Sequence, residues 1–548
     1  MEIASEELKA QNMDHHGLVA SVCQDLGIAN KIDARLDKKD PRRIVSAGTG
    51  VVAMILNGLG FTNRRLYLSP QFFESKPVKQ LLGKEVTASQ LDHHTLGKAL
   101  DEISAYGSSK LFGEVAFEIA IEHNLLSPLA HLDSTSFSVE GEYEVDSPEH
   151  VVKLTHGHSK DHRADLKQVM MSLVVTGESA VPIWMEPQDG NSSDKKAFQQ
   201  TIKNVRQFQK ELKGGPEFKW IADSALYTKE GLLSQNDYLW VNRVPENIKA
   251  AKELVALPDL SIPWVERDVG YKTASFESIY GGVKQRWLLV YSSHSYAREK
   301  KTFERNLLKK QEKLKKLLWH LKNEVFDCEA DAIKSLKKIS KQFPYHEISY
   351  DIEKITKHKK SGRPKKGEHG EVVGVKLCPR FSKKKDAIAI ALRRKGRFIL
   401  ATNDLNMESF SDESILSEYK SQQKVERGFK FLKDPWFMVN SFFLKLPSRI
   451  EALMMVMTLC LMVYNVGQHR IRFALRKVND TLPNQINKPI QNPTLKWIFQ
   501  MMEGISIVSF FEPHIAEPVR KVITGLNQLR IKIIKLFGPS AQKIYGIV

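Results

Sequence analysis

Three acidic residues occupy positions where a carboxylate is either costly or well placed for chemistry. Asp133 lies in the run HLDSTSF, inside an apolar strand, where a half-buried carboxylate is expensive unless it is ion-paired or holds a cation. Asp223, in WIADSALY, stands where another apolar strand gives way to a turn, and the C-terminal ends of strands are where α/β folds collect functional groups. Glu426, in KVERGF, is on a helix, and nothing beside it distinguishes it from a solvent-facing glutamate. A further cluster, THGHSKDHRAD, gathers His156, His158 and His162 with Asp161 and Asp165. It has neither a cysteine partner nor HExxH spacing, so a polar loop whose Lys160 and Arg163 meet phosphate is preferred to a metal site. Asp194 in GNSSD reads as a turn residue or helix N-cap, and His93 and His94 as surface or capping residues.

The elements that must position these residues follow from periodicity. SPLAHLDSTSFSVEG alternates around Leu132 to Val139, and QVMMSLVVTG with AVPIWMEPQDGN forms two β-rich runs about a GES turn, a hairpin. DKKAFQQTIKNVRQFQKELK places Phe198, Ile202, Val205 and Phe208 on one face of a helix, and FKWIADSALYTKEG is a strand, a turn and a helix. The order strand, hairpin, helix, strand is that of an α/β nuclease core. Upstream, Leu96, Ala99, Leu100 and Ile103 share a helix face behind a Thr95 N-cap, and VVAMILNGLG is a short helix closed by Gly58 and Gly60 in the left-handed conformation. A helical bundle and a helix-turn-helix are both open for this region. EYKSQQKVERGFKFLKDP reads as a single helix, and the chain beyond it as helical to its end.

The Glu426 region also carries a motif. Tyr419, Glu426 and Lys433 match the spacing Tyr-x2-Arg-x3-Glu-x6-Lys, with Gln422 at the arginine position. With Asp133 before Ser-Thr, PQDGNSSD at 187–194 and the strand-Asp223-Ser turn, the chain resembles DDE-type transposases of bacterial insertion sequences, the group with the Tyr-Arg-Glu-Lys signature. The resemblance spans roughly 126–470. It implies an α/β ribonuclease-H-like catalytic core interrupted by a β-containing insertion, with helical N- and C-terminal regions. The corresponding divisions are a DNA-binding region 1–125, a first core part 126–240, an insertion 241–405 with a basic helix and a basic linker, a second core part 406–470 and a C-terminal region 471–548. The gap from Asp223 to Glu426 is about 200 residues against 90 from Asp133 to Asp223, and a structureless loop that long is implausible in a compact protein.

The resemblance further implies that Asp133, Asp223 and Glu426 hold two Mg²⁺ ions, with Mn²⁺ able to substitute. Asp133 would bridge both, Asp223 hold one and Glu426 the other. Two such ions activate a water, stabilise a pentacovalent phosphate and neutralise the leaving oxygen, and Mg²⁺ takes hard oxygen ligands. Water would cut at the element's end and the freed 3′-hydroxyl attack target DNA. Tyr419, Gln422 and Lys433 fall at positions expected to face end DNA. The partners implied are double-stranded DNA, as terminal inverted repeats and target, and a second copy of the chain in a homodimer. Trp264 and Trp287 are candidates for stacking on a splayed base by location only; core packing is the plainer reading of each.

Composition agrees with that partner. Among 548 residues, Lys and Arg number 82 against 64 Asp and Glu, a net charge of +18, which favours a polyanion. Basic stretches such as REKKTFERNLLKKQEKLKKLLWHLKNE carry much of it. Arg363 and Lys365, in Gly362-Arg363-Pro364-Lys365-Lys366, resemble a minor-groove hook, although a flexible basic linker, too polar to pack, explains the same residues. Four scattered cysteines support neither a disulfide framework nor a zinc knuckle, and the acidic start is unlike an export signal, so a cytoplasmic protein is expected. The apolar run 452–464 is short of the roughly 20 residues that cross a bilayer, so a buried helix is expected and no membrane partner. Two other functions share these residues: an inactive DNA-binding derivative of a transposase, and a nuclease that never joins strands.

Overall fold

The computed structural model describes residues 7–36, 43–62, 66–83, 85–143, 151–212, 215–357, 371–434, 444–512 and 517–547. The chain divides into two compact units, one of residues 1–241 with 417–548 and one of residues 242–416. Arg363, Lys365 and the rest of the expected hook lie outside the described residues.

The first unit is organised on a mixed sheet. Its strands are β1 (Leu129–Val139), β2 (Lys167–Thr176), β3 (Val181–Gln188), β4 (Lys219–Ala222) and β5 (Trp240–Arg243). They lie in the order β3-β2-β1-β4-β5. β2 and β3 form the expected antiparallel hairpin about Gly177, whose φ of 73° glycine adopts without a Cβ penalty. β1 is antiparallel to β2 and parallel to β4. Alternation was expected in β1, yet it is buried at nearly every position. A strand covered on both faces loses the polar alternation that a solvated face would impose.

Of the helices α1 (Asp194–Leu212), α2 (Asp412–Ser421), α3 (Gln423–Leu432) and α4 (Pro447–Lys477), α1, α3 and α4 pack on this sheet and α2 leads into α3. The expected face of α1 is buried, with Phe198, Ile202, Val205 and Phe208 inside. The expected single helix around Glu426 is instead two, broken at Gln422. α4 contains the apolar run 452–464 and is, among the described residues, long and apolar enough to cross a membrane; 83% of its apolar window is buried within the protein. It is a core helix here, packed against β3 and the N-terminal helices.

The N-terminal region is mostly helical, as expected, but its details differ. The helix His93–Tyr106 is capped by Asp92, whose carboxylate accepts from Thr95 N at 2.8 Å, so Thr95 is inside the helix. The helix Ala47–Gly58 ends through Leu59, and the left-handed residue beyond is Phe61, at φ 51°, rather than either glycine. The chain is not helical to its end: Ser506–Phe511 pairs with Arg520–Thr524 and with Glu7–Asn12, making a three-stranded sheet from both ends of the sequence.

The second unit also contains β-structure. The strands Val283–Ser292 and Arg397–Thr402, both expected, pair antiparallel with each other, and Tyr271–Tyr280 pairs with the former. The basic helix Ser293–Asn323 buries Leu314, Leu318 and Leu321 against Phe326, Leu336, Val375 and Leu377. The lysine-rich stretch expected not to pack contributes its ends to a two-stranded ribbon, His346–Lys357 with Glu371–Lys383. Trp287 is 3% exposed, with its indole N–H on Gln285, and Trp264 is half-buried, with its N–H on Asp259.

Candidate active site

Asp133 sits midway along β1, and its neighbour across the parallel pair is set by register. Leu129 faces Lys219, Ala130 faces Trp220 and His131 faces Ile221. Two residues further, the same register sets Asp133 beside Asp223, where β4 has ended and a short 3-10 turn begins. Adjacent strands are about 4.8 Å apart, so the chain carries Asp223 into the vicinity of Asp133, and its charge acts on the Asp133 carboxyl. Asp223 caps the turn, accepting from Ala225 N at 2.8 Å.

Glu426 reaches the same place by a fastening between helix and strand. Gln422 precedes α3; its side-chain N–H donates to Leu132 O at 2.9 Å, and its oxygen accepts from His131 Nδ1 at 3.2 Å. His131 and Leu132 immediately precede Asp133, so the start of α3 is tied to β1 at the carboxylate. Val425, Gly428, Phe429 and Leu432 are buried, and Glu426 lies on the exposed side, one turn from Gln422. At Gly428 an added Cβ would lie 3.1 Å from Leu461 on α4, so glycine permits this close helix packing.

Asp133 senses the other two acids. Burial pushes the Asp133 carboxyl up to about 7; Lys160 and the Ser134 N–H oppose this, while Asp223 and Glu426 push it further up. The Ser134 N–H bond to Asp133 Oδ1 is 2.7 Å. Lys160 Nζ donates to Ser134 O and to Ser134 Oγ, both at 2.8 Å, and pairs with Asp194 at 3.2 Å. Asp194, expected as an N-cap, stands in the first turn of α1 and accepts instead from Ser134 Oγ at 2.6 Å. A lysine and two polar groups therefore brace the strand segment that carries Asp133.

The segment 151–166 that brings Lys160 is itself tied down. Gly190 N donates to Lys153 O at 3.0 Å, and an added Cβ on Gly190 would lie 2.1 Å from Gln168 O. The Val152 N–H donates to Glu451 on α4 at 2.7 Å. Burial pushes the Glu451 carboxyl from 4.5 up to about 7, Asp189 adds to this, and the Val152 N–H opposes it. The folded state thus holds a proton that the unfolded chain releases. The stability from this group is complete below about pH 4.5 and is lost as the pH rises through about 7. Glu451→Gln keeps an acceptor for Val152 and cannot ionise. In urea denaturation it should match the parent at pH 5 and exceed it at pH 8 by on the order of 2 kcal/mol; a deficit at both pH values would refute this.

The other residues singled out by sequence are placed as follows. Lys433 caps the end of α3, pairs with Asp161 at 2.7 Å and lies over the Phe137 ring. Tyr419 is half-buried on α2, not on the Glu426 helix as expected. Gln422 is 8% exposed and spent on β1, which corrects its expected position facing DNA. Arg163 forms a bidentate pair with Asp165 on the surface. His93 and His94 are exposed. Ser134, Asp194 and Gln422 are noticeable in the sequence, as part of the Asp133-Ser-Thr likeness, as a cap and as a DNA-facing position, but not for these supporting contacts, and Glu451 carries no sequence signal.

The model for the transposase DDE domain matches residues 127–463, more than half of the chain. The chain belongs to the DDE transposase family. Residues 8–117 match a domain of unknown function, DUF4277. No curated protein matches. Among solved structures, the chain is similar to a piggyBac transposase synaptic complex with hairpin DNA, at 9% identity over 90% of this chain and 81% of that one, TM-score 0.35. It is also similar to a Mos1 transposase paired-end complex with the left transposon end, at 13% identity over 37% of this chain and 60% of that one, TM-score 0.14.

The mixed sheet with its helices fits the ribonuclease-H-like α/β core of a DDE transposase. DDE transposases generally use divalent metals. Among the described residues, no three His, Cys, Asp or Glu side chains stand close enough to hold a metal ion as they are. The donor chemistry nevertheless fits. Asp133, Asp223 and Glu426 offer hard carboxylate oxygens, and Asp133 is kept from ionising by burial and by the other two, a penalty that a bound cation would reverse.

Proposed function

We propose that this DDE transposase cleaves DNA at the ends of its element and joins those ends to target DNA, with Asp133, Asp223 and Glu426 as the metal-holding carboxylates. The observation that carries the reading is the electrostatic convergence of the three, from two adjacent strands and a helix fastened to one of them, on a single buried carboxyl. Two Mg²⁺ ions bound there, or Mn²⁺ in their place, would supply an activated oxygen nucleophile and neutralise the leaving oxygen. Asp133 and Asp223 orient their oxygens through the rigid β1–β4 register, and Glu426 closes the site from α3. Lys160, braced by Ser134 and Asp194, holds positive charge beside Asp133 where a scissile phosphate would add negative charge. Tyr419 and Lys433, from the partly matched Tyr-Arg-Glu-Lys signature, are assigned to end-DNA phosphates. Arg163, on the same segment as Lys160, is assigned to flanking phosphate. The active form is a homodimer holding paired ends, in the cytoplasm on the nucleoid.

The test is incubation of the purified protein with a labelled duplex carrying the DNA that flanks its own gene. With Mg²⁺ we expect cuts at matched inverted ends and joined products, both absent with EDTA. Cutting without joined product would make it a nuclease, and binding without cutting an inactive derivative.

A further inference from the structure

The outer side of α1 carries a row of charge that the site does not use. Opposite its buried face, the exposed Lys196, Lys203 and Lys210 recur every seven residues. Seven residues are two helical turns, about 10.5 Å, so the row is about 21 Å long. On an ordinary solvated helix, a glutamate one turn away commonly supports each lysine. Here the positions four residues on from Lys196 and Lys203 are the neutral, exposed Gln200 and Gln207. Among the described residues, none of the three lysines has an ion-pair partner.

The row forms one wall of a groove of about 850 Å³, and the other wall is the 234–238 segment. Arg206 is fixed within it. Its guanidinium pairs with Asp237, donates to Asp237 O at 3.1 Å and stacks 4.9 Å over the Tyr238 ring. Among the described residues the one acid lining the groove, Asp237, is thus engaged by an arginine, and the lysines remain available. The same helix begins at Asp194, bonded to Ser134, the residue after Asp133. The row therefore begins at the end of α1 nearest the candidate active site, on the face opposite Asp194, and leads away from that end along a rigid element.

We propose that this groove binds the phosphate backbone of duplex DNA leading away from the cleavage point, holding it in position without reading its sequence. At 3.4 Å per base pair, the row spans about six base pairs. Contacts of this kind fix register and orientation and carry no base information. The proposal rests on the transposase reading above and adds to it a surface outside the carboxylate site.

The test uses the full chain, a random-sequence duplex of about 40 bp as probe, and salt titrations between about 50 and 200 mM. Lys196→Ala, Lys203→Ala and Lys210→Ala combined should lower the slope of log K against log salt by about 2.7, because each phosphate contact contributes about 0.9. The same three positions changed to Arg should restore the slope. Removing three lysines from the Ser293–Asn323 helix, at Lys309, Lys313 and Lys316, controls for general charge and should change the slope less. An unchanged slope in the α1 triple variant, or an equal loss in the control, would overturn the proposal. A parent protein that binds no duplex at all would instead overturn the transposase reading. The α1 substitutions lie on solvent-exposed positions, so urea stability should be unchanged, and a lost slope that the Arg set does not restore would overturn the proposal.

Discussion

Asp133→Asn is expected to abolish strand cleavage while leaving the protein at least as stable as the parent. Asn keeps the shape and an acceptor for the Ser134 N–H, but it cannot supply an anionic oxygen to a divalent cation. The lost rate should be roughly a thousand-fold or more, about 4 kcal/mol of barrier. The stability should move the other way. The Asp133 carboxyl is pushed up to about 7 by burial and by its two acidic neighbours, so at pH 8 its ionisation works against the fold. Removing it takes that cost away at pH 8 and a smaller part of it at pH 5, which lies between the ordinary value of 3.8 and the folded value of about 7. Asp223→Asn and Glu426→Gln should show the same loss of cleavage with duplex binding retained. Cleavage by purified variants on a labelled end fragment, beside urea denaturation at pH 5 and pH 8 without metal, measures both effects. Normal cleavage by any one variant would remove that residue from the site, and a large fall in stability would turn its lost activity into a folding defect.

Gln422→Ala should damage the same site from a distance. Gln422 joins α3 to β1 through Leu132 O and His131 Nδ1, and it is buried, so its loss leaves two buried polar groups without this partner. Such a loss costs about 1–3 kcal/mol. Glu426, one turn further along, then loses the fastening that sets it against Asp133. A displacement of about 1 Å at a reacting centre is worth about a hundred-fold in rate. The expected pattern is a fall in cleavage rate of ten- to a hundred-fold with duplex affinity unchanged. A residue contacting DNA would give the opposite split, with affinity lost and rate at saturating DNA retained. Measuring both quantities on the variant therefore separates a positioning role from the DNA-facing one expected from sequence.

Much of the core was legible because local periodicity records which face of an element is buried. The runs around Asp133, 167–176 and 181–188 carried enough apolar and β-branched residues to be read as a strand and a hairpin, and they are. The buried face of α1 and the interior helix around 452–464 followed from the same pattern. Asp133 and Asp223 were noticeable for a related reason: a carboxylate inside or at the end of an apolar strand conflicts with its surroundings. Glu426 offered no such conflict, since it lies on the exposed side of its helix.

What brings Glu426 to Asp133 is a hydrogen bond between Gln422 and Leu132, 290 residues apart, and no local pattern records it. The same holds for the break between α2 and α3 at Gln422, for Lys160 reaching Ser134, and for Glu7–Asn12 pairing with Ser506–Phe511. Periodicity tells each segment which side to bury; it does not say which distant partner will do the burying or in what register. The amino-acid order alone thus determined the core strands around Asp133, the helices α1 and α4 and two conspicuous carboxylates. Only the tertiary structure brings them together as a candidate site, because register between β1 and β4 and a side-chain bond from α3 set the positions of groups that the sequence holds far apart.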